Sequence, residues 1–112
     1  MGIAEPHGLA RTIGETYARE TARRHGRTWT SEEYMLGFSG DVGDLARLVQ
    51  GKAGVGHRDD LDEALAHELA DCLWSILTLA DCYDVDLEAA FTTTMQDIAG
   101  RLESRDAEQP LD

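Results

Sequence analysis

The stretch DLDEALAHELADCLWSILTLADCY, Asp60 to Tyr83, decides the fold. Leu61, Leu65, Leu69, Cys72, Leu73, Ile76, Leu79, Ala80 and Tyr83 recur at steps of three and four, so an apolar stripe runs the length of a helix. Trp74 and Leu77 widen it. A helix apolar over so much of its circumference belongs at the centre of a bundle. Asp60 with Glu63 has capping-box spacing and predicts the N-terminus. Inside the stripe, Glu68 and Asp71 stand three apart and therefore on one face. No Lys or Arg occurs between Asp60 and Tyr83. A buried carboxylate with no partner is costly, so these two acids call for a counter-charge from elsewhere.

The preceding stretch repeats the arrangement. Thr30 and Glu33 form a second capping-box pair. Tyr34, Met35, Phe38, Val42, Leu45, Leu48 and Val49 then follow the helical period. Asp41 and Asp44, again three apart, fall within that period. Gly37, Gly40 and Gly43 each cost about 1 kcal/mol relative to Ala in a helix interior. They are expected to leave a smooth stripe for close approach by a helix or ligand. Leu9, Ile13 and Tyr17 predict a first helix over residues 9–25, stopped by Gly26 after the basic run Arg23-Arg24-His25. Asp84 to Asp86 reads as a turn, with Asp86 as N-cap of a last helix that points Leu87, Phe91, Met95, Ile98 and Leu102 inward. Residues 1–8, with Pro6 and Gly8, are expected to be a loose leader. Residues 104–112, polar and containing Pro110, are expected to fray. The chain is thus read as one all-α domain over residues 9–103, an antiparallel four-helix bundle-like protomer.

Charge and composition exclude several classes. Acids outnumber bases 22 to 10, and the formal net charge of −12 repels nucleic acid and anionic lipid. No apolar run approaches the ~20 residues of a membrane span, and the N-terminus has no signal-peptide core. Cys72 and Cys82 match no zinc spacing and are expected to be buried free thiols of a reducing, cytoplasmic setting. The connector from Gly51 to Asp60 is glycine-rich and carries Lys52, His57 and Arg58. It lacks the Gly-Lys-Ser/Thr close of a phosphate-binding P-loop and the preceding strand of a dinucleotide fingerprint. A flexible basic connector is the plainer reading.

Adjacent helices would bring Asp41, Asp44, Glu68 and Asp71 together. Oxygen ligands of this kind suit a hard divalent cation, while spacing alone also fits two solvated helix faces. Asp81, Asp84, Asp86 and Glu88 crowd the last turn without the ligand spacing of a calcium loop and are read as caps and solvated acids. His67, one turn before Asp71, is within reach to orient it, although a surface or packing histidine is the plainer reading. Trp74 is read as packing. Trp29, at the loop-to-helix junction, is open to stack on a nucleobase.

Together these residues resemble a known family. Gly40-Asp41-Val42-Gly43-Asp44-Leu45, a connector, and then Glu68-Leu69-Ala70-Asp71-Cys72-Leu73-Trp74 is similar to the Glu-x-x-Glu…Glu-x-x-Asp pattern of the MazG-like all-α nucleoside triphosphate pyrophosphohydrolases. Asp84 to Phe91 resembles the start of that family's last helix. The resemblance implies a homo-oligomer, a homodimer or dimer of dimers, with sites near subunit contacts. It implies Mg²⁺, with Mn²⁺ as an alternative, held by Asp41, Asp44, Glu68 and Asp71. One of these acids, or a neighbour, helps activate water to cleave a (d)NTP into (d)NMP and pyrophosphate, a nucleotide-housekeeping reaction. Metal also reconciles an acidic protein with a polyanionic substrate. The chain departs from the pattern in two ways. The first motif has Asp in place of Glu, each one methylene shorter. Thr94 and Ile98 stand where the family carries Lys and Asn. Arg101 matches a basic position of that helix, and Lys52, Arg47 and Arg58 are candidates for the missing charge. Trp29, Lys52 and Arg101 are accordingly expected at the substrate. The rival reading is a degenerate relative: a non-catalytic helical module that binds nucleotide or metal, or a dimeric interaction protein.

Overall fold

Four helices of equal length make up the protein: α1 (Ala4–His25), α2 (Ser31–Lys52), α3 (Leu61–Cys82) and α4 (Leu87–Glu108). They come from a computed structural model that describes residues 2–56 and 58–108. The chain is all-α, as its periodicity predicts, and no strand occurs among the described residues. His57 and the last four residues, Pro110 among them, lie outside the described residues.

Helix boundaries follow local chemistry. The Thr30 hydroxyl accepts the Glu33 N–H at 3.2 Å, and Glu33 Oε1 accepts the Thr30 N–H at 3.0 Å, so the predicted box is complete. Gly26, at φ 75°, ends α1 by donating to Ala22 O at 2.9 Å. Asp86 caps α4 by accepting the Ala89 N–H at 3.1 Å. The box expected at Asp60 does not form: no side-chain cap is present there, and Arg58 takes the Asp60 carboxylate from two nitrogens.

Two ends differ from expectation. The leader is helical from Ala4, because Pro6 falls in the first turn, where its missing N–H has no intrahelical partner to lose. His7 is buried, with Nε2 2.8 Å from Asp81 Oδ1, and Arg11 grips the same carboxylate at 3.0 and 3.1 Å. These contacts pin the segment to the end of α3. At the other end α4 continues past Ser104 to Glu108, through Glu103, Arg105 and Ala107, residues compatible with a helix.

Packing is uneven. α2 and α3 form the principal pair and run antiparallel, with Gly51 against Leu61 at one end and Tyr34 against Trp74 towards the other. α1 lies on α3, where Trp74 Nε1 donates to Ala10 O at 3.2 Å and the Tyr17 ring meets Trp74 edge-on. α3 buries Cys72, Ser75, Leu77 and Ala80, which lie on more than one side of the helix. Leu69, Leu73, Ile76 and Tyr83, read as part of the same stripe, are open to solvent. α4 buries none of its residues, and Phe91, Met95, Ile98 and Leu102 line one exposed side of it. The radius of gyration is accordingly 18.5 Å, against about 13 Å for a compact domain of this size. Cys82, at the end of α3, is exposed, not buried as expected.

The glycines divide by role. A Cβ on Gly37 would stand 3.4 Å from the Trp29 ring, and one on Gly51 would stand 3.0 Å from Leu61 Cδ1. Gly40 and Gly43 face open space. Steps of three residues wind round a 3.6-residue helix, so the predicted smooth stripe is not a single contact face. In the connector, Gly54 and Gly56 have φ of 93° and 85°. Those two positions need glycine for the turn itself.

Candidate metal and nucleotide site

Asp41 and Asp44 lie on α2, and Glu68 lies opposite them on α3. One carboxylate oxygen from each lies within 4.8 Å of the other two. Asp71, the fourth predicted acid, is turned along α3 and out of this group. Its Oδ2 lies 3.1 Å from His67 Nε2, the orienting contact that the spacing anticipated. Three of the four acids therefore converge, and the fourth stands beside them with its own partner.

The three clustered acids are not alike. Glu68 Oε1 is inaccessible to water and has no hydrogen-bond partner. Burial pushes the Glu68 carboxyl above the usual range, and the charges of Asp41, Asp44 and Asp71 push it further. The Cys72 thiol, one turn on, is raised by burial and by Asp41, Glu68 and Asp71. Asp44 is the open member: its side chain is 52% exposed and is paired with Arg47 one turn later. An orphaned buried oxygen among crowded carboxylates, all hard donors, fits a divalent cation such as Mg²⁺ or Mn²⁺.

Two clefts meet at the cluster. On one side a cleft of about 500 Å³ is walled by Ile13, Tyr17, Trp29, Tyr34 and Trp74, with Asp41 and Asp71 at its edge. Trp29 and Tyr34 stand 5.7 Å apart between ring centroids, and Tyr34 and Trp74 6.0 Å. Gly37 leaves room for Trp29 to close against α2. On the other side a cleft of about 620 Å³ is lined by Asp44 and Glu68, then by Arg47, Arg58 and His67. Its far wall is the α2–α3 connector.

The other predicted contacts fall differently. Trp29 lines the aromatic cleft as expected. Lys52 is paired with Asp62 at 2.5 Å and lines neither cleft. Arg101 lies on α4 and lines neither cleft. Tyr17 and Tyr34 read in sequence only as stripe residues. No spacing announces their joint role, since the cleft draws on α1, the α1–α2 junction, α2 and α3 together.

Neither a curated protein nor a solved structure matches the chain. A family model does: the MazG nucleotide pyrophosphohydrolase domain matches residues 29–106, from Trp29 through both acidic pairs and nearly all of α4. With the all-helical fold and the acids on facing helices, that match shows that the chain belongs to the MazG nucleotide pyrophosphohydrolase family.

Proposed function

We propose that this protein hydrolyses a nucleoside triphosphate between the α and β phosphates, releasing a nucleoside monophosphate and pyrophosphate. The observation that carries this reading is the inaccessible, unpartnered Glu68 oxygen within the Asp41–Asp44–Glu68 cluster. Asp41, Asp44 and Glu68 hold a divalent cation, Mg²⁺ or Mn²⁺. When bound, that ion screens phosphate charge and stabilises the charge that develops as the phosphoanhydride bond breaks.

The residues of the chain supply the rest. Trp29, Tyr34 and Trp74 offer faces and edges for a base to stack on. Asp71, oriented by His67, is placed at the cleft edge to accept the proton of the attacking water. Arg47 and Arg58 face the side on which the β and γ phosphates would lie. The open apolar rows on α3 and α4 fit a homo-oligomer, in which a second chain covers them and its α4 brings a basic Arg101 toward the site. The reaction belongs to nucleotide-pool housekeeping in the cytoplasm. Among the described residues no helix is long and apolar enough to cross a membrane.

A second reading has one observation in its favour. Asp44 already has a cation, Arg47, and the first acidic pair is one methylene short of the family pattern. A module that binds nucleotide without turnover would look like this. Incubation with Mg²⁺ and a panel of (d)NTPs separates the two: hydrolysis yields pyrophosphate and monophosphate in equal amounts, and Glu68→Gln abolishes both. Nucleotide binding without pyrophosphate release selects the second reading. Release that persists in Glu68→Gln overturns the site.

A further inference from the structure

The candidate metal site contains its own competing cation. Arg47 Nη2 donates to Asp44 Oδ1 one turn away on α2, and both residues line the basic cleft with Glu68. The guanidinium stays protonated across the working pH range. It therefore holds a permanent positive charge on one of the three carboxylates of the cluster. The pair is open, with the two side chains 70% and 52% exposed, so solvent screens it and exchange is easy. The cleft it faces has a second arginine, Arg58, on its connector wall. Arg58 is held there by Asp60, and Glu63 lines the same cleft. An arginine released from Asp44 turns to an arriving anion, because its planar fork matches phosphate oxygens.

Resting on the function proposed above, we infer that Arg47 is the resident counter-ion of the nucleotide-free site and a phosphate ligand of the loaded one. It occupies Asp44 until a divalent cation arrives, then moves to the β or γ phosphate that the cation accompanies. No covalent bond changes. One side chain exchanges a carboxylate for a phosphate. The exchange makes metal alone a poor ligand and metal with nucleotide a good one, so the two load together.

Mn²⁺ titration of the nucleotide-free protein, read by the electron paramagnetic resonance of the free ion, tests this directly. Arg47→Ala and Arg47→Gln are expected to bind Mn²⁺ about two- to fivefold more tightly than the unaltered protein, the span that corresponds to an exposed ion pair. Arg23→Ala, which removes the same charge from a pair with Glu20 on α1, controls for net charge and is expected to leave Mn²⁺ affinity within error. With a non-hydrolysable α,β-imido triphosphate present, the order reverses, and the Arg47 variants bind the Mn²⁺–nucleotide complex more weakly. Equal Mn²⁺ affinity with and without Arg47, or a gain matched by Arg23→Ala, overturns the exchange while leaving the hydrolase reading standing. Absence of Mn²⁺ binding in every variant overturns both.

Discussion

The two clefts that flank the acidic cluster differ in their linings, one aromatic and one charged. One is walled by Tyr17, Trp29, Tyr34 and Trp74 and touches the cluster through Asp41 and Asp71. The other is lined by Arg47, Arg58 and His67 together with Asp60 and Glu63, and touches it through Asp44 and Glu68. A nucleotide has the same division: an apolar, stackable base at one end and a polyanion at the other. The cleavable bond would then lie over the acids between. The difference teaches that each acidic pair serves both sides. Asp41 and Asp71 look toward the aromatic wall, and Asp44 and Glu68 toward the basic one, so each helix contributes one acid to each cleft.

The largest effect is expected where the clefts join. Glu68→Gln removes the charge of the carboxylate whose Oε1 is inaccessible and unpartnered and is expected to lower kcat by at least about a hundredfold, measured as pyrophosphate release. The same substitution relieves the repulsion that raises this group, so thermal melts without metal should show the variant at least as stable as the parent. A loss of activity that tracks a loss of stability would break the distinction between a functional and a structural acid.

Next comes the aromatic wall. Trp29 is half-exposed and, among the described residues, its aromatic pair is with Tyr34, so Trp29→Ala costs the fold little. Loss of base stacking, about 1–3 kcal/mol, is expected to raise KM for all bases with a smaller change in kcat. Gly37→Ala is a finer version. Its methyl would meet the Trp29 ring at 3.4 Å, tilt it, and redistribute KM among bases with little effect on melting. If Trp29→Ala changed kcat and left KM alone, the aromatic cleft would not be the base side.

The smallest effects concern the frame. Thr30→Ala removes the hydroxyl half of the α2 capping box at about 1 kcal/mol, read from denaturant melts. Its acidic partner carries a pH signature. The Arg27 guanidinium, and then the Thr30 N–H, hold Glu33 at about 2, below its usual 4.5. A depressed carboxyl stabilises the fold fully above 4.5 and loses that contribution as pH falls toward 2. The stability gap between the parent and Glu33→Gln is therefore expected to be constant from pH 8 to 5 and to close below pH 4.5.

How far the sequence disclosed these features depends on how local each one is. The cap at Thr30, the stop at Gly26 and the four helices follow from neighbours within one turn, and all are legible. The box at Asp60 failed because Arg58, two residues away, competes for the same carboxylate. Periodicity showed that α3 is apolar nearly all round. It did not show which side faces α2, because Leu69 and Leu73 satisfy the period as well as Cys72 and Leu77 do. The acidic pairs were legible as pairs, yet the outward turn of Asp71 toward His67 is a side-chain choice that spacing does not set. The aromatic cleft was the least legible feature: Tyr17 and Tyr34 meet Trp74 only once three helices are in place.

The central claim is that Asp41, Asp44 and Glu68 hold the divalent ion between a base side and a phosphate side. Anomalous scattering from crystals grown with Mn²⁺ and a non-hydrolysable triphosphate tests it most directly. The expected result is a manganese peak among the three carboxylates, the base against Trp29 and the terminal phosphates toward Arg47 and Arg58. A peak elsewhere, or a nucleotide bound in the reverse sense, would contradict it.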